Sequence, residues 1–192
     1  MIAGGLSLDQ NRYNMSRELQ RILLTGSPGC GKTTAVTKIV GALHGARVAG
    51  FYTEEICEAG RRKGFRWHRL DGRSGTLAHV SIKSGYRVSK YGVDVESFDR
   101  EAVPAIDPRI TTADLFAVDE IGKMECFSEK FVQTVRRLFA SEACVLATVS
   151  LKGGGLIQEV KSYPTVKLMH LTVANRDEIV RQVAQMLAAA MK

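Results

Sequence analysis

The eight residues Gly26, Ser27, Pro28, Gly29, Cys30, Gly31, Lys32 and Thr33 constrain this chain more than any other stretch of it. They fit G-x-x-x-x-G-K-[ST] in full, a loop whose glycines let successive backbone N–H groups turn inward around an anion. The setting matches. The apolar run 21–25 before the loop reads as a buried strand, and Ala35, Val36, Ile39, Val40 and Leu43 after it recur at helical spacing. A strand, a tight loop and a helix N-terminus bring unpaired N–H groups and a partial positive charge to one point, which suits a polyphosphate. Lys32 is positioned to bridge β- and γ-phosphates, the Thr33 hydroxyl to ligate Mg²⁺, and Thr34 opens the helix at the same phosphates. Cys30 has two readings: a thiol open to solvent beside Lys32, with its pKa lowered, or a side chain turned into packing, with its pKa raised.

Such a loop needs a carboxylate near the metal, and an apolar strand ending in acid supplies one. Residues 115–118 form that strand and end on Asp119 and Glu120. Asp119 would hold Mg²⁺ through its water shell, and Glu120 sits where a carboxylate can deprotonate an attacking water. Further strands are expected over 48–53, 144–149 and 166–173, with helices from about 32 to 44, 97 to 105, 128 to 140 (Ser128 as N-cap) and 175 to 187. In the last of these, Asn175 is the expected N-cap and Glu178 its capping-box partner. Strands alternating with helices predict a mostly parallel sheet covered on both faces. The Gly-punctuated stretch 54–82 reads as one or two β-hairpins inserted in the domain.

Other positions carry two readings each. Thr148, at the end of the fourth strand, either senses phosphate or is simply a good strand residue. Arg176 can stack on a base through its planar guanidinium; the base-reading pattern N-K-x-D is not met, because Glu178 stands in its last position. Arg61, Arg62, Lys63, Arg66, Arg69 and Arg73 are either a source of a transition-state arginine at Arg61 or Arg62, or a solvated face.

Composition narrows the class without choosing the ligand. With 192 residues, 45% hydrophobic and 24% charged, one α/β domain over 19–192 is expected, preceded by a flexible extension over 1–18. No apolar run approaches a membrane span, and no basic segment followed by an apolar one opens the chain, so a cytoplasmic protein is expected. Cys30, Cys57, Cys126 and Cys144 have neither disulfide-framework nor zinc spacing. The net charge of +7 suits a polyanionic partner, either nucleotide or nucleic acid.

The strings GSPGCGKTT, GFYTEEI with GRRKGF, VDEIGKME with FS after it, and NRD near the end together resemble the small nucleoside triphosphatases of the thermophilic-type and cancer-related group. They reach from Gly26 to about Asp177. The resemblance implies a RecA-like sheet of order 2-3-4-1-5, and Mg²⁺-dependent hydrolysis of ATP, GTP, CTP and UTP to diphosphate and phosphate. It also implies that Lys123 and Glu125 support the metal or the developing charge, with Arg61 and Arg62 as the arginine pair. Two other readings stay open: a nucleotide or polynucleotide kinase, against which Glu120 argues, and a nucleic-acid-binding switch.

Overall fold

A computed structural model describes residues 19–191, so the expected extension over 1–18 lies outside the described residues. The elements, in chain order, are β1 (Arg21–Gly26), α1 (Lys32–Ala42), β2 (Val48–Glu58), β3 (Arg61–Arg69), β4 (Ser74–His79), β5 (Arg87–Val88), β6 (Tyr91–Val93), α2 (Val95–Ser97), β7 (Leu115–Ile121), α3 (Glu129–Ala140), β8 (Cys144–Ser150), α4 (Leu156–Ser162), β9 (Val166–His170) and α5 (Arg176–Ala190). One sheet holds all nine strands in the order β5-β6-β4-β3-β2-β7-β8-β1-β9.

Its right half is parallel. β2 pairs β7, β7 pairs β8, and β1 lies between β8 and β9, all in parallel register. Counting only these five strands gives 2-3-4-1-5, with β8 inserted between the loop-bearing β1 and the Asp119 strand β7. The strands are continuous apolar runs because both of their faces are buried. Ile22 and Leu24 of β1, Leu115 and Ala117 of β7, and Leu146 of β8 pack with Ala35, Val36 and Ile39 of α1 and Val183 and Leu187 of α5. Leu23, Phe116, Val118, Val145 and Ala147 point the other way and meet Phe98, Phe131, Val135 and Val160. This alternation along each strand puts α1 and α5 on one face and α3 and α4 on the other.

The left half holds the hairpins expected of the 54–82 stretch, joined to the central sheet. β2 does not stop at Thr53 but runs to Glu58, turns, and pairs antiparallel with β3, which continues through β4 and β6 to β5. The insertion is therefore the same sheet extended. Its basic run is also not a bare cationic face. Glu58 stands opposite Arg61 and Glu54 opposite Arg66, Glu55 binds Arg62 at 2.5 Å, and Asp71 binds Arg69 at 2.5 Å.

Several expected boundaries shift. The helix expected over 97–105 begins at Val95, passes through a wider π turn at Phe98–Ala102 and ends as a 3₁₀ turn at Val103–Ile106. α3 is capped as expected, Ser128 Oγ accepting the Phe131 N–H at 2.8 Å. At α5 the capping box is absent. Asn175 instead accepts the Thr172 N–H at 2.7 Å and donates to the His170 carbonyl at 3.0 Å, which ends β9 at His170 rather than at Val173. Among the described residues, no helix is long and apolar enough to cross a membrane.

Candidate active site

The loop after β1 delivers its residues to the C-terminal edge of the parallel strands, where ligands bind in open α/β sheets. Gly31 sits at φ 93°, a left-handed conformation that a side chain would strain, and a Cβ at Gly26 would lie 2.3 Å from the Leu171 carbonyl oxygen. α1 begins there with no side-chain cap and no acidic residue in its first turn. Its N-terminal positive charge and its first N–H groups thus remain available to an anion. Gly26, Pro28, Gly29, Gly31, Lys32, Thr33 and Thr34 all line a cleft of about 840 Å³.

Two members of the loop face elsewhere. The Ser27 carbonyl accepts the Cys30 N–H at 3.2 Å, and neither residue lines the cleft. Cys30 is buried with Ile22, Leu24 and Ala35 under the loop. The solvent-open reading of its thiol is therefore corrected. Gly26 lacks a Cβ where the sulfur comes closest, and this opening lets the side chain fold inward.

Asp119 is almost wholly enclosed, 1% exposed. Its Oδ2 accepts the Thr33 hydroxyl at 2.7 Å and the Thr53 N–H at 3.4 Å, and its Oδ1 accepts the Thr148 hydroxyl at 2.6 Å. Burial raises its pKa above the ordinary carboxylate value; the hydroxyls of Thr148 and Thr33 pull it down, and the Glu120 charge pushes it up. Thr148 is itself fully buried and does not reach the cleft, so its hydroxyl orients the Asp119 carboxylate instead of meeting a phosphate.

Glu120, its side chain 28% exposed, lines the cleft. Its Oε2 lies 3.5 Å from Lys32 Nζ, which also reaches the Gly26 carbonyl at 3.4 Å. Ser150 donates to Glu120 Oε1 at 2.5 Å, and Lys161 of α4 holds the turn after β8 by donating to the Ser150 and Leu151 carbonyls at 2.6 and 3.0 Å. Sequence reading missed Ser150. A signal existed, since it follows Thr148 by two residues and strand alternation puts both on one side. Lys161 had none, because α4 was not foreseen.

The remaining candidates separate. Arg62 lines the cleft, donates to Glu55 at 2.5 Å and to the Tyr91 hydroxyl at 3.2 Å, and lies 5.2 Å above the Phe65 ring. Arg61 is exposed and outside the cleft lining, because neighbouring residues of a strand point to opposite faces. Lys123 is exposed at the cleft wall, whereas Glu125 is buried there, and a Cβ on Gly122 would lie 2.8 Å from its Oε2. Burial pushes the Glu125 carboxyl up to about 8, helped by the charges of Glu120 and Asp119 and opposed by backbone N–H groups. Arg176 lies over the loop, its Cδ 2.9 Å from where a Gly31 Cβ would stand, and outside the cleft proper.

A phosphate loop on β1, an acid pair at the end of β7 and a polar strand end between them define a P-loop nucleotide-binding protein of the α/β class. Residues 21–184 match a family model described as NTPase, and the chain belongs to that family of small nucleoside triphosphatases. It is 39% identical over 167 residues to the nucleoside-triphosphatase THEP1 of Thermotoga petrophila, covering 87% of this chain and 92% of that one. With the human cancer-related nucleoside-triphosphatase the identity is 34%, covering 90% and 99% of the two chains. The crystal structure of THEP1 from Aquifex aeolicus is similar with a TM-score of 0.78 at 36% identity, covering 88% of this chain and 99% of that chain.

Proposed function

We propose that this chain hydrolyses ATP, GTP, CTP and UTP to the diphosphate and phosphate, with Mg²⁺ and with little preference among bases. The observation that carries the reading is the pairing of two adjacent acids with two loop residues: Asp119 on the Thr33 hydroxyl at 2.7 Å and Glu120 beside Lys32 at 3.5 Å. A buried carboxylate and a hydroxyl side by side are hard oxygen donors, the set that suits Mg²⁺ shared with substrate phosphates. Thr33 would ligate the ion directly and Asp119 would hold it through its water shell. When bound, Mg²⁺ neutralises charge on the β- and γ-phosphate oxygens.

The protein's own groups carry the rest. Backbone N–H groups of Gly29 to Thr34 cradle the phosphates, and Lys32 leaves Glu120 to span the β- and γ-phosphates. Glu120, freed from that ion pair and oriented by Ser150, accepts a proton from a water whose oxygen attacks the γ-phosphorus; the bond to the bridging oxygen breaks and the diphosphate leaves. Arg62, at the cleft wall, is the arginine placed to meet charge developing on the γ-phosphoryl oxygens. Arg176 over the loop offers a flat surface to any base, which supports loose base preference.

Phosphate release measured with each of the four triphosphates, in Mg²⁺ and in EDTA, tests the reading. Release from all four, lost in EDTA and in Lys32→Ala, is the expected outcome. Glu120→Gln is expected to keep nucleotide binding while slowing release by about 10²- to 10⁴-fold. No release with any triphosphate in Mg²⁺ would overturn the assignment.

A further inference from the structure

Nucleotide binding takes away one of the two side chains that hold Glu120. Lys32 Nζ stands 3.5 Å from its Oε2 and leaves for the β- and γ-phosphates in the reaction drawn above, so it no longer fixes the carboxylate when water attacks. The side-chain contact that then remains to Glu120, among the described residues, is the Ser150 hydroxyl at 2.5 Å on Oε1. Ser150 is the last residue of β8, and Leu151, Lys152, Gly153, Gly154 and Gly155 separate it from α4. Three consecutive glycines fix no conformation by themselves, and Gly153 and Gly155 lie at φ 156° and 57°. A base whose remaining partner sits at the head of such a turn is only as steady as whatever holds the turn.

Lys161 holds it. Its Nζ donates to the Ser150 carbonyl at 2.6 Å and to the Leu151 carbonyl at 3.0 Å, which uses two of its three N–H groups. The ammonium also attracts the Glu120 charge, against the lowering of its own pKa by burial. The helix that carries it is fixed at two points. Leu156, Ile157 and Val160 of α4 are buried in the core with Phe131 and Val135 of α3. Glu159 binds Arg136 of α3 at 2.8 Å and accepts the Tyr163 hydroxyl at 2.6 Å. Support for Glu120 therefore runs from α3 through α4 to Lys161 and Ser150, and none of it passes through the phosphate loop.

We propose that Lys161 is a positioning residue for the hydrolysis: by fixing the turn after β8 it keeps the Ser150 hydroxyl on Glu120, and the carboxylate aimed at the attacking water, once Lys32 has moved to the phosphates. The proposal rests on the reading above, in which Glu120 accepts the proton of that water. Lys161 lies outside the cleft lining, so its loss bears on the chemical step and leaves nucleotide affinity alone. A reacting group misplaced by about 1 Å costs on the order of 10²-fold in rate.

Lys161→Met keeps the length of the side chain and removes the ammonium. It should lower kcat for phosphate release by about 10²-fold, while the Kd of a non-hydrolysable ATP analogue with Mg²⁺ stays within about threefold of the parent value. Lys161→Arg, whose fork offers parallel N–H groups to two carbonyls, should return kcat to within about tenfold of the parent. The same substitution made in Glu120→Gln separates positioning from a general structural role. If Lys161 acts through Glu120, the double variant should match Glu120→Gln within about threefold, because the base it served is already gone. A lysine that only held the fold together would slow both backgrounds alike. Equal fold losses in the two backgrounds, or a Lys161→Met kcat within about threefold of the parent, would overturn the proposal. If Lys161→Met does not fold, Lys161→Gln, which keeps N–H donors but loses the charge and the reach, is read by the same cycle. Failure of the underlying reading is separate: it shows as a Glu120→Gln single variant as fast as the parent, which removes the base and the proposal with it.

Discussion

Replacing Thr148 by Val removes a hydroxyl and almost nothing else, which makes it a direct measure of what holds Asp119. Thr148 is fully buried and Asp119 is 1% exposed, so no water stands ready to replace the lost donor. The bond is 2.6 Å long and one of two hydroxyl bonds to that carboxylate. A hydrogen bond to a charged group contributes about 1.5–3 kcal/mol, and a buried acceptor left without a partner costs a similar amount. For a domain of this size each kcal/mol moves the melting temperature by about 2–4 °C, so Thr148→Val should melt roughly 3–12 °C below the parent protein. Thermal unfolding followed by circular dichroism, without nucleotide at neutral pH, reads this directly. Thr148→Ser keeps the hydroxyl and should recover much of the loss, while Thr148→Val should also need more Mg²⁺ for half-maximal phosphate release. A Thr148→Val protein that melts within about 1 °C of the parent would refute the reasoning. If it did so with a higher KM for nucleotide, the hydroxyl would have to touch the substrate instead of Asp119.

Three further outcomes follow from the same geometry. Arg62→Ala should lower kcat by about 10³-fold with nucleotide affinity nearly kept, as for a transition-state arginine, while Arg61→Ala should stay within tenfold of the parent in steady-state phosphate release. Glu125 is neutral up to about pH 8 in the folded protein but ionises near its ordinary value when unfolded; the unfolded chain therefore binds fewer protons in that window, and stability should fall as pH rises from about 5 to 8, with a ceiling of roughly 5 kcal/mol. Glu125→Gln should flatten that decline in urea unfolding across the same pH range. Brief iodoacetamide treatment should modify the exposed Cys57 before the buried Cys30 and leave phosphate release intact, and early labelling of Cys30 by mass spectrometry would contradict its packing under the loop.

The elements readable in the sequence were those whose signals are local. The loop, the strand ending on Asp119 and Glu120, and the Ser128 cap of α3 each need only a few consecutive residues to be recognised. α4 escaped because Leu156–Ser162 is barely two turns long and follows three glycines, too short for a helical period to declare itself. The 54–82 stretch was legible as hairpins but not as a continuation of the central sheet. Whether a hairpin stands apart or continues a sheet depends on what pairs with its edge, and β2 is bonded to β7 more than sixty positions away. The acidic partners of the basic run were hidden in the same manner, since Glu54, Glu55 and Glu58 meet it across a strand pair that composition does not reveal. At the site, sequence brought Asp119, Glu120, Lys32 and Thr33 together but not the depth of each. Thr148 and Ser150, two residues apart on β8, differ in whether they touch the acid inside the sheet or the acid in the cleft.

The placement of β1 has a consequence for synthesis. Its two neighbours are β8 and β9, with Arg21 level with Val145 on one side and Val166 on the other. A nascent chain that has emerged only as far as residue 140 holds the entire phosphate loop yet has no partner for the strand that carries it. By then β2, β3, β4 and β6 have all emerged, and their pairing is between near neighbours in sequence, the kind of contact that forms early because little chain entropy opposes it. The wall of the cleft can thus be built on the ribosome well before its floor, and a chain interrupted before residue 144 would keep its phosphate loop on a strand with neither of its sheet neighbours.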